Sequence, residues 1–367
     1  MSEGLSPSER LNWLRLARAD NVGPVAFRHL VERYGSAAKA LAALPAIAAR
    51  SGTARAPRLP SQTEIEAEIR DGEALGARLI CAGEPDFPER LAALDPAPPV
   101  IWACGRTELL ARPSVAVVGA RIASAAGQRF ARALARDLGE AGYVVVSGMA
   151  RGVDAAAHEG SLDTGAVAVL AGGVDDVYPP EHRDLYDRLA EQGCVVSENP
   201  VGRRAQAKDF PRRNRLISGL SLGVVVVEAE LRSGSLITAR LAAEQGREVF
   251  AVPGSPLDPR AKGTNDLIRQ GATLCEGVED VLRELQGQAV PRQPLARPGP
   301  AEAIPDEEID ALRERIAALL SPAPVPRDEL VRMTGAPAAA VNAALVELSL
   351  AGRAELRPGG LAVGARG

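Results

Sequence analysis

The sequence predicts an α/β protein whose central parallel β-sheet domain lies between a small helical domain and a C-terminal domain of three helices and a hairpin. Through the middle of the chain, short runs rich in valine alternate with helical patterns, which is typical of βαβ units. Before these runs the apolar residues follow helical spacing. After them, a proline-rich segment precedes a second set of helical patterns.

The composition is that of a globular protein with a sizeable core. The chain has 367 residues, enough for two or three domains, and 46% of them are apolar. Its start lacks a basic segment followed by an apolar one, and no apolar run approaches the ~20 residues of a membrane span. We therefore expect a cytoplasmic protein that has no contact with a membrane.

The spacing of the cysteines and the net charge argue against further classes of site and surface. Cys81, Cys104, Cys194 and Cys275 are widely separated and form no C-x-x-C pair, which argues against a zinc site or a disulfide framework. A net charge of −4 argues against a surface that is positively charged all over, but it is compatible with a local basic patch.

Residues 1–60 are predicted to form the helical domain. Ser6 to Glu9 offer a capping box around a proline, and the turn Val22-Gly23-Pro24 separates two helical patterns. Two helices joined by such a turn resemble a helix-hairpin-helix or SAM-like domain, whose hairpin amides can hold a DNA backbone. A helical module with a packing role only is an equally good interpretation.

Residues 61–106 are predicted to lead into the central domain. A capping box at Ser61 and Glu64 starts a helix, and Arg78–Cys81 can form a short strand. The segment from Asp86 to Gly105 is rich in proline, which supplies no backbone donor. We expect it to wrap a surface rather than to join a sheet.

Residues 107–286 are predicted to form a Rossmann-like domain. Strands are expected at residues 114–119, 143–147, 166–171, 194–197, 224–227 and 248–252, with helices between most of them. The valine run 224–227 has the length and β-branched content of a strand buried on both faces. Such strands open at their C-terminal ends on a crevice where ligands bind.

A basic stretch precedes the valine strand. Six basic residues lie between Gly202 and Arg215, against the single acid Asp209: Arg203, Arg204, Lys208, Arg212, Arg213 and Arg215. After the strand, Ser233-Gly234-Ser235 opens a helical pattern, and the start of a helix favours an anion. Together they indicate a partner that carries phosphate, although a charge run is more often a solvated face.

Other motifs give weaker signals. Gly119-Ala120-Arg121 stands where a Rossmann fold places its phosphate loop, but the other glycines of G-x-G-x-x-G are missing. Arg121 can therefore hold a phosphate in bidentate fashion or pair with a neighbouring carboxylate. The string Gly219–Gly223 fits G-x-S-x-G, but it precedes a strand where a nucleophile elbow would follow one. We expect no catalytic nucleophile there.

The histidines do not indicate a metal site. His29, His158 and His182 lie in separate segments without metal-ligand spacing, so no metal is expected. His158 follows Asp154, an arrangement that can orient a catalytic imidazole, but a hydrogen-bonded structural histidine is the favoured interpretation. Asp154 is expected to cap the following helix.

The C-terminal part is predicted to begin with a proline-rich linker at residues 287–305. Residues 306–367 then contain three helical patterns and a hairpin around Pro358-Gly359-Gly360, which suggest a winged-helix-like domain. The third helix, residues 337–351, has no Lys or Arg, and only Asn342 has a side chain suited to reading bases. We expect this domain to contact protein.

The central motifs, in their order along the chain, resemble the DNA-processing protein A family (DprA, also called Smf). The match covers the whole central domain, and the segment from Phe87-Pro88 to Gly105 resembles the lead-in of that family. The matching motifs are Val118–Arg121, Ser147–Asp154 with His158, Tyr178-Pro179, Ser197-Glu198, Phe210–Arg215, Val227–Ala229, Ser233–Ala239, Val252–Gly254 and Gly271-Ala272.

The resemblance implies an extended Rossmann domain that binds single-stranded DNA without base specificity, as a homodimer and without catalysis or a cofactor. It also implies that the protein loads RecA recombinase onto incoming strands during natural transformation. The implied DNA-binding residues are Arg121, Lys208, Phe210, Arg212, Arg213, Asn214, Arg215, Ser233, Gly234, Ser235 and Thr238. At position 120 this chain has Ala where many members of the family have Ser or Thr. This small change should leave Arg121 in place.

Two other functions remain as alternatives. A nucleotide-processing enzyme of the lysine-decarboxylase-like phosphoribohydrolase type has a P-G-G-x-G-T-x-x-E pattern. Here Ala239 follows the corresponding turn, and the acids Glu228 and Glu230 precede it. A winged-helix regulator with an α/β sensor domain is the other alternative, and the uncharged third helix weakens it.

Overall fold

Nine strands form the central sheet of the computed structural model, which describes residues 4–50, 58–286, 306–357 and 360–364. In space the strands follow the order β1-β2-β6-β5-β4-β3-β7-β8-β9. The last seven strands in this spatial order, which begin with β6 and end with β9, are parallel to one another. They are β1 (Ala77–Cys81), β2 (Val100–Gly105), β3 (Ser114–Val118), β4 (Val144–Ser147), β5 (Ala166–Val169), β6 (Cys194–Ser197), β7 (Gly223–Val226), β8 (Glu248–Ala251) and β9 (Thr273–Leu274).

Helices precede the sheet and cover both of its faces. The first five are α1 (Pro7–Ala17), α2 (Pro24–Tyr34), α3 (Ala37–Arg50), α4 (Gln62–Ala74) and α5 (Glu89–Ala92). Those within the central domain are α6 (Ala125–Glu140), α7 (Val153–Ser161), α8 (Arg183–Gln192), α9 (Asp209–Leu220), α10 (Gly234–Glu244), α11 (Lys262–Arg269) and α12 (Val278–Gln286). Short 3-10 turns lie at Thr107–Ala111, Pro180–His182 and Pro259–Ala261.

The alternation of strands and helices predicted for the central domain is confirmed. The valines of β3, β4 and β7 are buried, and their side chains divide between two core layers. Helices α9 and α10 cover one face, while α6, α7 and α12 cover the other. The chain adds strands on one side of β3 as far as β6 and then crosses to β7 on its other side. Between β3 and β7 the strand order reverses, and such a point opens a crevice beyond the C-terminal strand ends.

The prediction for residues 100–105 was wrong. This segment is strand β2, which lies antiparallel between β1 and β6, with Trp102 opposite Leu79 and Ser197. Trp102 is fully buried. The prolines that suggested an irregular path end at Pro99, so the four apolar residues Val100–Ala103 are free to pair. The sheet is therefore extended by two antiparallel strands from the lead-in segment.

The N-terminal helices are joined to this edge of the sheet. The Ser6 side chain caps α1, but the Glu9 carboxylate accepts from the backbone N–H of Ala37 at 2.6 Å rather than closing the predicted box. The capping box at Ser61 and Glu64 is formed as predicted. Trp13 donates to the Pro99 carbonyl at 2.8 Å and so fixes α1 to the start of β2.

The C-terminal domain contains three helices and a three-stranded sheet, the arrangement of a winged helix. Its elements are α13 (Asp306–Leu319), β10 (Val325–Pro326), α14 (Arg327–Thr334), α15 (Ala338–Leu350), β11 (Ala354–Arg357) and β12 (Leu361–Gly364). The predicted linker 287–305 and the hairpin residues 358–359 lie outside the described residues.

No single helix among the described residues is long and apolar enough to cross a membrane. Within the described ranges, α14 and α15 taken together are the one pair that reaches that length and composition, and they are bent by 114° relative to each other. Most of α15 is buried within the protein.

Candidate nucleic-acid interface

Several predicted site residues meet at the C-terminal edge of the parallel strands. Arg121 follows β3, the loop Gly148–Gly152 follows β4, and Tyr178-Pro179 lies in the connection after β5. Helix α9 begins at Asp209, so Phe210 and Arg212 lie in its first turn. These segments surround a small open pocket with a cavity volume of about 40 Å³, lined by the side chains of Arg121, Arg151, Tyr178, Pro179, Phe210 and Arg213.

The aromatic ring of Phe210 stands at the centre of this pocket. The Arg121 guanidinium lies 5.4 Å from the ring centroid, and that of Arg213 lies 6.0 Å from it. Tyr178 meets the same ring edge to face, with centroids 5.4 Å apart. Guanidinium groups over a ring face are attracted by its quadrupole, so the ring helps to orient both arginines. We call Arg121, Tyr178, Phe210 and Arg213 the aromatic-arginine cluster.

Tyr178 is the member of this cluster that the sequence interpretation did not assign to the site. Its side chain is half exposed, whereas most large apolar side chains of this domain are buried. The available signal was a tyrosine in a loop after a strand, in a chain with only 3% aromatic residues. Its place beside Phe210 depends on the order of the strands.

Arg213 is a buried residue at the base of the cluster. Its guanidinium donates to the carbonyl of Gly148 at 2.7 Å and also to the carbonyl of Val169. Burial lowers the pKa of Arg213 to about 10, against the opposing attraction of Asp154. Arg213 therefore joins α9 to the ends of β4 and β5 while its head group lines the pocket.

The other cations of the basic stretch have different surroundings. Lys208 and Arg212 are exposed and form no ion pair with any residue that the structure describes. Arg215 is largely buried and pairs with both carboxylate oxygens of Glu198. Asn214 donates to the Gly234 carbonyl at 3.3 Å and so connects α9 to α10. Successive residues point about 100° apart around a helix, which separates the adjacent arginines.

The Ser233–Thr238 segment forms the start of α10, as expected. The Ser233 hydroxyl accepts from the backbone N–H of Ser235 and shares a hydrogen bond of 2.7 Å with its hydroxyl. Ser235 and Thr238 are buried, whereas Gly234 faces open space. The surface open to a ligand here is mainly the backbone around Gly234.

The start of helix α6 is the position at which a Rossmann fold holds a pyrophosphate. In this protein a carboxylate occupies that position. Glu228, just after β7, accepts from the backbone N–H of Ser124 at 2.9 Å and from the Ser124 hydroxyl. A side chain at Gly127 would meet the same carboxylate at 2.6 Å. Because an acid already satisfies the start of α6, this turn is unsuited to a nucleotide phosphate.

Asp154 and His158 belong to the interior. The Asp154 carboxylate accepts from the backbone N–H groups of Gly148 and Ala150, so it holds the loop before α7 rather than capping that helix as expected. Burial raises the pKa of Asp154, with attraction to Arg213 acting in the opposite direction. His158 is fully buried, and neither ring nitrogen has a partner within the described part of the chain. A general base with no access to solvent or ligand is not supported by this geometry.

The buried His158 makes stability dependent on pH. Burial, followed by repulsion from His182 and Arg213, lowers the pKa of His158 from 6.5 to about 3. As pH falls through about 6.5, the imidazole becomes protonated in the unfolded chain but stays neutral in the folded chain. The contribution of His158 to the stability of the folded state is therefore present above that pH and is lost as pH falls. Between pH 7 and pH 5 we expect the free energy of unfolding to fall by about 2 kcal/mol through this group.

Urea unfolding of the wild type and of His158→Gln at both pH values measures this effect. The variant should lose less stability on acidification than the wild type. The raised pKa of Asp154 acts in the opposite direction in both proteins, so the comparison isolates His158. Equal pH dependence of the two proteins would contradict a neutral buried imidazole.

Among the described residues, no group of three or more His, Cys, Asp or Glu side chains is placed to hold a metal ion. The four cysteines are free thiols, and burial raises the pKa of each of them. They are therefore poor nucleophiles and metal ligands at neutral pH.

Comparison with known proteins gives consistent matches over nearly the whole chain. A family model described as DNA recombination-mediator protein A matches residues 78–286. A model of the DprA-like N-terminal HHH domain matches residues 7–70, and one of the DprA winged helix domain matches residues 297–360. Protein Smf of Escherichia coli (strain K12) is 41% identical over 300 residues, which cover 81% of this chain and 80% of that protein.

Two solved structures are similar. The X-ray structure of DNA processing protein A from Streptococcus pneumoniae matches with a TM-score of 0.63 and 33% identity, over 77% of this chain and 99% of that one. DNA processing protein A from Helicobacter pylori matches with a TM-score of 0.53 and 28% identity, over 58% of this chain and 96% of that one. The latter structure is described as giving insight into a single-stranded DNA binding mode.

Proposed function

The chain belongs to the DNA recombination-mediator protein A family, and from this premise we propose that it binds single-stranded DNA without base specificity at the C-terminal edge of its parallel sheet. The aromatic-arginine cluster is the observation that carries this proposal. Phe210 and Tyr178 offer stacking surfaces, and Arg121 supplies a positive charge beside them. Proteins that bind single strands regardless of sequence combine these two features.

In this proposal the exposed cations hold the phosphates. Arg121, Lys208 and Arg212 are exposed, and none of them has a carboxylate partner within the described ranges of the chain. Such side chains can turn toward a phosphate without breaking an existing ion pair. The half-exposed ring of Tyr178 is open to a base. Stacking of a base on an aromatic side chain contributes about 1 to 3 kcal/mol.

We assign the remaining predicted site residues to positioning the exposed ones. Arg213, Asn214 and Arg215 hold α9 against β4, α10 and Glu198 through the contacts described above. Ser233, Ser235 and Thr238 form the start of α10 behind these residues, where the exposed Gly234 lets a sugar-phosphate backbone approach closely. Their replacement should alter DNA binding mainly by moving their neighbours.

Membership of the family supports a proposal for the wider role of the protein. We propose that the protein acts in the cytoplasm as a homodimer that loads RecA recombinase onto incoming single strands during natural transformation, without catalysis of its own. The similarity to DNA processing proteins of Streptococcus pneumoniae and Helicobacter pylori supports this role. The phosphoribohydrolase alternative loses support, because Glu228 is engaged at the start of α6 and no acid follows the Ser233–Ser235 turn at the required spacing.

Fluorescence anisotropy of labelled oligo-dT, titrated at several salt concentrations, tests the proposal. Each phosphate contact to a single strand contributes about −0.7 to the slope of log K against log salt, so three cations predict a slope near −2 per protomer. Oligo-dA should bind comparably, and duplex DNA should compete poorly. Absence of binding at low salt would contradict the proposal. Release of ribose phosphate from a nucleoside monophosphate would instead support the phosphoribohydrolase.

A further inference from the structure

Helix α15, the third helix of the winged-helix domain, is apolar around nearly its whole circumference. Among its 13 residues the only charged side chain is Glu347, and nine residues are buried. A helix that is hydrophobic on all sides is buried on more than one face. In a winged helix that reads DNA, the corresponding helix carries basic or amide side chains into the major groove.

The two faces of α15 contact two different domains. Val341, Leu345 and Leu348 lie in the core of the winged-helix domain with residues of α13 and α14. Val346 and Leu350, one helical turn apart on another face, belong to the core of the N-terminal helical domain with Phe27 and Leu30. We call Val346 and Leu350 the docking face of α15.

Polar contacts reinforce the apolar ones at the same boundary. The buried Glu347 carboxylate accepts from Arg313 of its own domain at 2.9 Å and from Arg33 of α2 at 3.5 Å. Asn21 donates to the Leu350 carbonyl at 3.2 Å. The carbonyls at a helix end lack partners within the helix, so the α1–α2 turn satisfies one of them in α15.

We propose that α15 is a docking helix for the N-terminal helical domain of the same chain and not a DNA-reading helix. The docked contact closes the two terminal domains on each other. It covers the face of α15 that would otherwise enter a groove, and it engages Asn21 of the turn that resembles a DNA-binding hairpin. In the closed state, duplex DNA has no access to the docking face, whereas the aromatic-arginine cluster on the central domain is unaffected.

Arg33→Glu in the full-length chain tests the docking. The change places an acid opposite Glu347 while leaving both hydrophobic cores intact, so the terminal domains should separate. Small-angle scattering should then show a larger radius of gyration, and the amides of α2 should exchange at least tenfold faster. Arg332→Glu, an equal charge change at an exposed position of α14, should change neither quantity.

Val346→Asp tests the same contact from the apolar side. It should open the molecule as Arg33→Glu does, with oligo-dT affinity unchanged within about twofold. A wild-type chain already as extended as both variants would overturn the proposal, as would variants that remain closed. A closed contact that disappears on dilution would assign the interface to two copies and overturn docking within one chain. Loss of duplex binding in Asn342→Ala would show that α15 reads DNA after all.

Discussion

Replacing Arg121 with alanine is expected to weaken oligo-dT binding about 10- to 100-fold near physiological ionic strength. A charge-assisted hydrogen bond contributes about 1.5 to 3 kcal/mol, and Arg121 is the exposed cation nearest the ring of Phe210. The loss should be similar for oligo-dT and oligo-dA, because a phosphate contact carries no base information. The dependence of log K on log salt should become shallower by about 0.7.

Arg129→Ala is the matched control for this prediction. Arg129 is also an exposed arginine, but it lies on α6 away from the aromatic-arginine cluster. It should leave both affinity and salt dependence unchanged. Equal losses in the two variants would indicate general electrostatic attraction and not a phosphate contact at Arg121. Loss restricted to one base sequence would also contradict the assignment.

The adjacent residues Arg212 and Arg213 should give opposite results on replacement with alanine. Arg213→Ala removes a buried cation from the carbonyls of Gly148 and Val169 and from the neighbourhood of buried Asp154. Removing one partner of a buried charged contact destabilises a protein by about 3 to 5 kcal/mol. Arg212→Ala should change the free energy of unfolding by less than about 0.5 kcal/mol, as for exposed sites generally, yet weaken DNA binding.

Urea unfolding and oligo-dT titration of both variants separate stability from affinity. Arg213→Lys adds a second test, because lysine keeps the charge but cannot donate to two carbonyls in the fixed geometry of a guanidinium. It should recover part of the lost stability at most. If Arg213→Ala were as stable as Arg212→Ala, the structural role of the buried arginine would be wrong.

The parts of the fold set by local patterns were predictable. The valine runs of β3, β4 and β7 and the helical spacing between them carry the parallel sheet, and the crevice at strand ends follows from it. Strand β2 was missed because neighbouring prolines hid a four-residue apolar run that pairs with residues far away in the sequence.

The separate roles of the site residues were less predictable. Which of Arg212, Arg213 and Arg215 is buried depends on the first residue of α9 and on the core that the helix covers. Tyr178 contacts Phe210, which is 32 positions further along the chain, and Glu228 contacts Ser124, which lies 104 positions before it. The roles of Tyr178 and Glu228 depend on these contacts. No local pattern encodes such contacts, so the sequence indicated the candidates without their arrangement.

Photochemical crosslinking of an oligonucleotide that contains 5-bromodeoxyuridine tests the central claim most directly. If single-stranded DNA lies across the aromatic-arginine cluster, adducts should form on peptides that carry Tyr178 and Phe210, and Arg121→Ala should strongly reduce their yield. Adducts confined to α1–α2 or to the C-terminal domain would contradict the claim, because the DNA would then bind to a terminal domain and not at the C-terminal edge of the sheet.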